Sequence, residues 1–126
     1  MKLKYSIFAN NTYAAAINKL FINSKIPTIK AIELSNLYEE LSNYEKSYNC
    51  IRKNAILSFG IIKDTGFEYK DAESEKALLL RINELMDTEF ELLSNPIVFK
   101  LSNVDDYELN LSALEINVLK DIVKFI

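Results

Sequence analysis

The chain has 126 residues, 49% of them hydrophobic and 26% charged, with two glycines, two prolines, one cysteine and no histidine. Those values suit a single packed domain, 1–126, and exclude a disordered chain, a disulfide scaffold and any catalytic or metal centre built on histidine. The net charge of −3 conceals a polarity: residues 1–63 hold nine Lys or Arg against four Glu (+5) and residues 64–126 six against fourteen acids (−8), which either marks a binding face or draws two halves of one fold together.

Leu3, Tyr5 and Ile7 alternate with Lys2, Lys4 and Ser6, which predicts a half-buried strand over 2–8. Asn10-Asn11-Thr12 interrupts the segment before any long apolar run develops, so neither a secretory leader nor a membrane span is expected, and the expected location is cytoplasmic. Asn10 or Asn11 caps a first helix carrying Tyr13, Ile17, Leu20 and Phe21, which stops near Asn23-Ser24 because Pro27 disfavours helical geometry at Ile26. Pro27 then opens a second helix. Leu34, Leu37, Leu41, Tyr44, Tyr48, Ile51 and Ala55 recur at spacings of 3 and 4 with no Gly or Pro before Gly60, which predicts a seam of three heptads on a helix of about 30 residues, roughly 45 Å long.

Gly60 and Gly66 bracket a hairpin with Ile61-Ile62-Lys63 and Phe67-Glu68-Tyr69 as arms and Asp64-Thr65-Gly66 as turn. Asp71 caps the next helix, 72–88, whose first turn holds Glu73 and Glu75 and whose stripe is Leu78, Ile82 and Leu85. It should run back along the long helix and share its seam. Phe90 and Leu92, then Ile97, Phe99 and Leu101, alternate with their neighbours and predict two strands around a turn at Asn95-Pro96. Tyr107, Leu109 and Leu111 suggest a third. Ser112 and Glu115 form a capping box for a final helix that turns Ile116, Leu119, Val123 and Ile126 inward. The fold these elements predict is α+β: a long antiparallel helical hairpin with flanking helices, packed on a small, mostly antiparallel sheet.

Each candidate for chemistry has a plainer explanation. Asp64-Thr65-Gly66 is the triplet of aspartic proteases, but Lys63 before it and Phe67 after it do not fit that loop, and turn geometry accounts for it. Cys50 sits beside the helical seam with no histidine to act as base, which reads as a passive, half-buried thiol. Glu84, Asp87, Glu89, Glu91 and Asp105-Asp106 lack calcium-loop spacing and read as a solvated acidic face, a subset of which serves to cover a basic partner surface or imitate nucleic acid. Lys25, Lys30, Arg52 and Lys53 are too few for a nucleic-acid stripe, so direct nucleic-acid binding is not expected. Tyr44 and Tyr48 lie on the seam and read as core residues with a hydroxyl reaching water rather than as stacking platforms. No catalytic, metal or cofactor-binding residue emerges.

Leu20, Lys25-Ile26-Pro27, Leu34, Leu41, Tyr44-Glu45, Arg52, Gly60, Asp64 through Gly66, Asn83-Glu84-Leu85, Thr88-Glu89-Phe90-Glu91 and Leu111-Ser112 together resemble a family of small phage and prophage proteins of low-GC Gram-positive bacteria, known as a domain of unknown function. The resemblance implies a viral origin and action inside an infected bacterial cell, and it assigns no active residues. The expected function is accordingly non-enzymatic binding of a host protein, such as a nucleic-acid-binding defence complex, most concretely as an anti-defence inhibitor of the anti-CRISPR type. The alternative is a small virion or tail-assembly protein that oligomerises through its helical hairpin. Glu39, Glu40 and Glu45 on the long helix, with Glu84, Asp87, Glu89 and Glu91, are the expected partner contacts.

Overall fold

In the computed structural model, which describes residues 1–126, the elements run β1 (Lys2–Lys4), a 3-10 turn (Tyr5–Ala9), α1 (Asn11–Phe21), α2 (Thr28–Phe59), β2 (Gly60–Lys63), β3 (Gly66–Tyr69), α3 (Ala72–Asp87), β4 (Glu89–Glu91), β5 (Ile97–Phe99), a second 3-10 turn (Leu101–Asn103), α4 (Ala113–Val118) and β6 (Val123–Phe125). The class is α+β, as the sequence predicts. The strands form three separate two-stranded ladders rather than one sheet: β1 with β4 and β2 with β3 antiparallel, β5 with β6 parallel. No helix is long and apolar enough to cross a membrane.

Local chemistry sets the helix ends. The Asn10 side chain accepts the amides of Thr12 (2.9 Å) and Tyr13 (3.2 Å) at the start of α1, and Asp71 accepts the Ser74 amide at 2.7 Å at the start of α3. Pro27 stands at the N-cap of α2 rather than inside its first turn. The helix then continues for 32 residues, about 48 Å.

The seam of α2 serves two environments. Leu34, Leu37 and Leu41 enter a core of 17 buried apolar residues with Ala16 and Leu20 of α1, Phe90, Leu92, Ile97 and Phe99 of the strand region, and Leu119, Ile122 and Val123. Past Tyr44 the helix leaves this core. Tyr48 packs on Tyr5 and Phe8; it is buried outside the main cluster, as are Ala55 and Leu78 and Leu85 of α3, and Ile51 departs from the expected seam at 37% exposure. The outer half of α2 and the N-terminal part of α3 thus make a two-helix arm tipped by the β2–β3 hairpin, while the C-terminal end of α3 packs on the Tyr5–Ala9 turn.

Three expectations require correction. The strand over 2–8 stops at Lys4; the Tyr5 amide makes a last bond to the Thr88 carbonyl (3.0 Å) and the chain coils. A 3-10 turn brings positions i and i+3 onto one side, and Tyr5 and Phe8 use that placement to join Phe90, at 4.8 and 5.5 Å between ring centroids. Period-2 packing yields here to an aromatic cluster.

The final helix is six residues long, although its capping box forms as predicted. The chain turns after Leu119, whose carbonyl takes the amides of Ile122 (2.8 Å) and Val123 (2.7 Å), and β6 pairs Val123 with Ile97 and Phe125 with Phe99. Alternation of Val123 and Phe125 around Lys124 wins over the helical spacing, leaving Ile116 and Ile126 exposed. A parallel pair needs a crossover of about a dozen residues or more, and the segment carrying α4 supplies it. Finally, Tyr107–Leu111 forms no strand. Glu108 sits in the left-handed region (φ 51°), and the Asn23 side chain donates to the Tyr107 carbonyl at 2.8 Å, which fixes a turn that buries Leu109.

Candidate functional site

The charge polarity of the sequence is spent in part inside the molecule. Lys4 meets Asp87 at 2.8 Å, Lys19 meets Glu115 at 2.8 Å and Lys25 meets Glu108 at 2.7 Å, each joining a lysine of the basic half to a carboxylate of the acidic half. In the β1–β4 ladder Lys2 stands opposite Glu91 and Lys4 opposite Glu89. The Lys4 ammonium, first by hydrogen bond and then by charge, holds the Asp87 carboxyl below its ordinary pKa, and the same contact raises that of Lys4.

The seven expected contact carboxylates therefore part into two groups. Asp87 is paired as described, and Glu91 lies 3.9 Å from the amino group of Met1. Glu40 accepts the amides of Leu93 (2.7 Å) and Ser94 (2.9 Å) and the Ser94 hydroxyl. Burial acts to raise its pKa, but these three donors outweigh it and the pKa falls below the ordinary value. Glu39, Glu45 and Glu84 are exposed and enter no ion pair, as is Glu89 apart from its place opposite Lys4. Glu84 and Asp87 stand near the end of α3 and lead into β4, whereas Glu39 and Glu45 belong to α2. The carboxylates form no single cluster, and no group of three or more His, Cys, Asp or Glu side chains has metal-holding geometry.

The arm presents a different surface. Ile51 and Leu57 of α2, Ile61 and Ile62 of β2, Phe67 and Tyr69 of β3 and Leu79 and Leu80 of α3 are all exposed, Ile62 by 65%. The ladder register pairs Ile62 with Phe67 and Gly60 with Tyr69, so these positions share one face while Ile61 lies on the other. Phe67 and Tyr69 meet edge to face at 5.1 Å. The absence of a side chain at Gly60 lets the Phe67 ring lie over it, and a Cβ there would displace that ring. Lys63 and Glu68 close the turn end of the ladder at 2.6 Å. An isolated hairpin of this size is marginal in water, and this one has apolar side chains on both faces with no core against either. Sequence reasoning placed the hairpin correctly and treated Asp64-Thr65-Gly66 as its turn, but it missed the exposure of these apolar residues. Their signal was present: Ile61, Ile62 and Phe67 have no partner element within reach once α3 turns back at Asp71.

One further residue differs from expectation. Cys50 is exposed rather than half-buried, because it falls on the side of α2 away from α3, and its sulfur takes a 3.8 Å contact from the Asn54 amide. Tyr44 donates its hydroxyl to the Glu91 carbonyl at 2.8 Å, a contact between distant elements that no local pattern announces. Its ring stacks on Phe90 at 4.5 Å.

Glu115 was predicted as a cap and is also buried. One carboxylate oxygen, Oε1, takes Lys19 Nζ at 2.8 Å and the Ser112 amide at 2.9 Å. The other, Oε2, is sealed without a hydrogen-bond partner. The Lys19 hydrogen bond and then the Ser112 amide hold its pKa below the ordinary value.

In comparisons with protein-family models, curated proteins and solved structures, the chain matches none.

Proposed function

We propose that this chain is a non-enzymatic, phage-encoded protein that acts in the infected cell by binding a host protein, most concretely as an anti-defence inhibitor. The phage origin rests on the sequence resemblance. The binding reading rests on one observation: the arm carries eight large apolar side chains to the surface, four of them on the β2–β3 hairpin, outside the main core. Eight of the seventeen exposed large hydrophobic side chains lie on this one arm, and exposed apolar surface of that kind marks an interaction site. Aromatic anchors such as Phe67 and Tyr69, pre-formed on a two-stranded ladder, are the kind of residue that dominates binding energy.

The test is affinity capture from the bacterial host with the intact chain and with an Ile62→Asp, Phe67→Ser double variant. Both substitutions lie outside the main core, so the circular dichroism and thermal midpoint of the core should be preserved. Retention of one host protein by the intact chain and its loss by the variant support the reading. Equal retention by both would remove the arm as the contact element.

A second reading, a virion or tail-assembly protein that oligomerises through the arm, is favoured by charge. The outer half of α2 carries Lys46, Arg52 and Lys53 with no acid over 46–59, while α3 carries Glu73, Glu75, Glu84 and Asp87 against Lys76 and Arg81. Two arms laid antiparallel would set α2 of one copy against α3 of the other. Light scattering separates the two readings: a stable symmetric oligomer that the double variant dissolves supports assembly, and a monomer supports the inhibitor.

A further inference from the structure

Away from the arm, α1 and α2 enclose a groove of about 430 Å³ whose walls include Phe8, Tyr13, Phe21, Tyr38, Ser42 and Glu45. Four of those six are aromatic. Phe21 and Tyr38 meet edge to face at 4.4 Å, as do Phe8 and Tyr13 at 6.2 Å. No lysine or arginine lines the groove, and the carboxylate of Glu45 enters none of the ion pairs of the molecule. Tyr13 is only 5% exposed, yet its hydroxyl makes no hydrogen bond within the chain and opens on this groove. Burial, followed by the nearby Glu45 carboxylate and Tyr38, pushes the Tyr13 pKa up, so the group is a neutral donor and acceptor at any physiological pH.

The Tyr13 hydroxyl is not a sealed atom, since Glu115 Oε2 alone is buried without a partner, so it is open to a group that enters the groove. Aromatic faces with an unpaired carboxylate at their rim make a field that attracts a cation and repels an anion. We propose that this groove receives a basic side chain, arginine or lysine, of a protein partner, its aliphatic stem against Phe21 and Tyr38 and its head between Glu45 and the Tyr13 hydroxyl. The partner is the one required by the binding reading above, on which this inference rests for the source of the side chain. The recognition chemistry itself belongs to α1 and α2 and does not involve the arm.

The probe is N-acetyl-argininamide, titrated into the ¹⁵N-labelled full chain and followed by amide shifts, with N-acetyl-citrullinamide as the neutral analogue and phenethylamine as a free amine. Expected are saturable shifts confined to residues 8–21 and 38–45 with the arginine probe and none with citrulline. Glu45→Gln should weaken binding roughly tenfold, the size of a charge-assisted hydrogen bond. Tyr13→Phe should weaken it by a smaller factor while leaving the thermal midpoint unchanged or higher, because its hydroxyl has no internal partner to lose. A purely structural Tyr13 would leave the titration unmoved. Absence of shifts with arginine, equal shifts with citrulline, or insensitivity to Glu45→Gln would overturn the proposal, and tighter binding of phenethylamine than of the arginine probe would overturn the partner side chain as occupant. The Ile62→Asp, Phe67→Ser variant should bind the probe normally, so loss of host-protein capture through the arm and failure of the groove are read independently.

Discussion

Glu40 on α2 reaches across to Ser94 in the turn between β4 and β5, accepting its amide at 2.9 Å and its hydroxyl as well. With the Leu93 amide at 2.7 Å, one carboxylate gathers three donors from a segment 53 and 54 residues further along. The turn has little other anchorage: Leu93 itself is among the most exposed residues of the molecule. A helix side chain thus does for this loop what secondary structure does elsewhere, satisfying amides that would otherwise face solvent.

The linkage this creates has a definite sign. The folded-state pKa of Glu40 is depressed, so its contribution to stability is fully present above the unfolded glutamate value of about 4.3 and is lost as pH falls through the folded value. Glu40→Gln should lower the thermal midpoint at pH 7 and flatten the acid limb of stability against pH. Thermal unfolding of both proteins between pH 7 and 3 measures it. Identical acid limbs would show that the fold does not favour the ionised form of Glu40.

The two burial environments of α2 should come apart under mutation. Leu37 is completely buried in the main core, and Leu37→Ala should cost about 2–5 kcal/mol of global stability. Leu78 is buried only between the helices of the arm. Leu78→Ala should chiefly accelerate amide exchange over 48–87 while protection at 97–99 and 34–41 stays closer to that of the parent. Uniform loss of protection throughout the chain would mean that arm and core unfold as one unit.

Gly60 makes a local test of the hairpin. Its backbone is extended (φ −141°), which any residue adopts, so the role of glycine lies in leaving room for the Phe67 ring above it. Gly60→Ala should swing that ring outward and break the Phe67–Tyr69 pair, visible as altered ring-current shifts over 60–69, with a much smaller effect on the core. An unchanged Phe67 environment would contradict the close approach.

At the start of α4, Ser112→Ala should cost about 1 kcal/mol through loss of the cap to the Glu115 amide. Lys19→Met removes the cation facing a buried carboxylate that already has one unpartnered oxygen, and it should lower the denaturation midpoint. Adding Glu115→Gln should then recover part of that loss, since the neutral side chain no longer needs the charge. A denaturant series on the single and double variants gives the coupling. Strict additivity would remove Lys19 as the partner that keeps Glu115 ionised.

Helices were readable where a pattern ran long. The repeat from Leu34 to Ala55 and the caps at Asn10, Asp71 and Ser112 are local signals, and each stands where it was expected except at Ile51. Strand patterns outside the hairpin carried less, because competing contacts from distant segments decide them. Tyr5 and Phe8 follow Phe90, and Val123 follows Ile97, neither of which is near in sequence. The candidate carboxylates were visible as acids, but their partners Lys4 and Ser94 lie on other elements, so their engagement had no local trace. Glu115 shows the same limit: a capping box is written in four residues, whereas burial under Lys19 is not. The groove beside Glu45 was equally hidden, since it needs α1 to be laid against α2 before Tyr13 and Tyr38 share a space.

The 32-residue helix belongs to both the core and the arm, and no glycine or proline interrupts it between Thr28 and Phe59. Without such a residue a helix has few places to hinge. A load applied at the hairpin is carried as torque along a stiff rod, over a fulcrum of stacked rings at Tyr44 and Phe90, to Leu41 and Leu37. Whatever seizes the tip therefore pulls on the foundation, and the molecule responds to it as a lever.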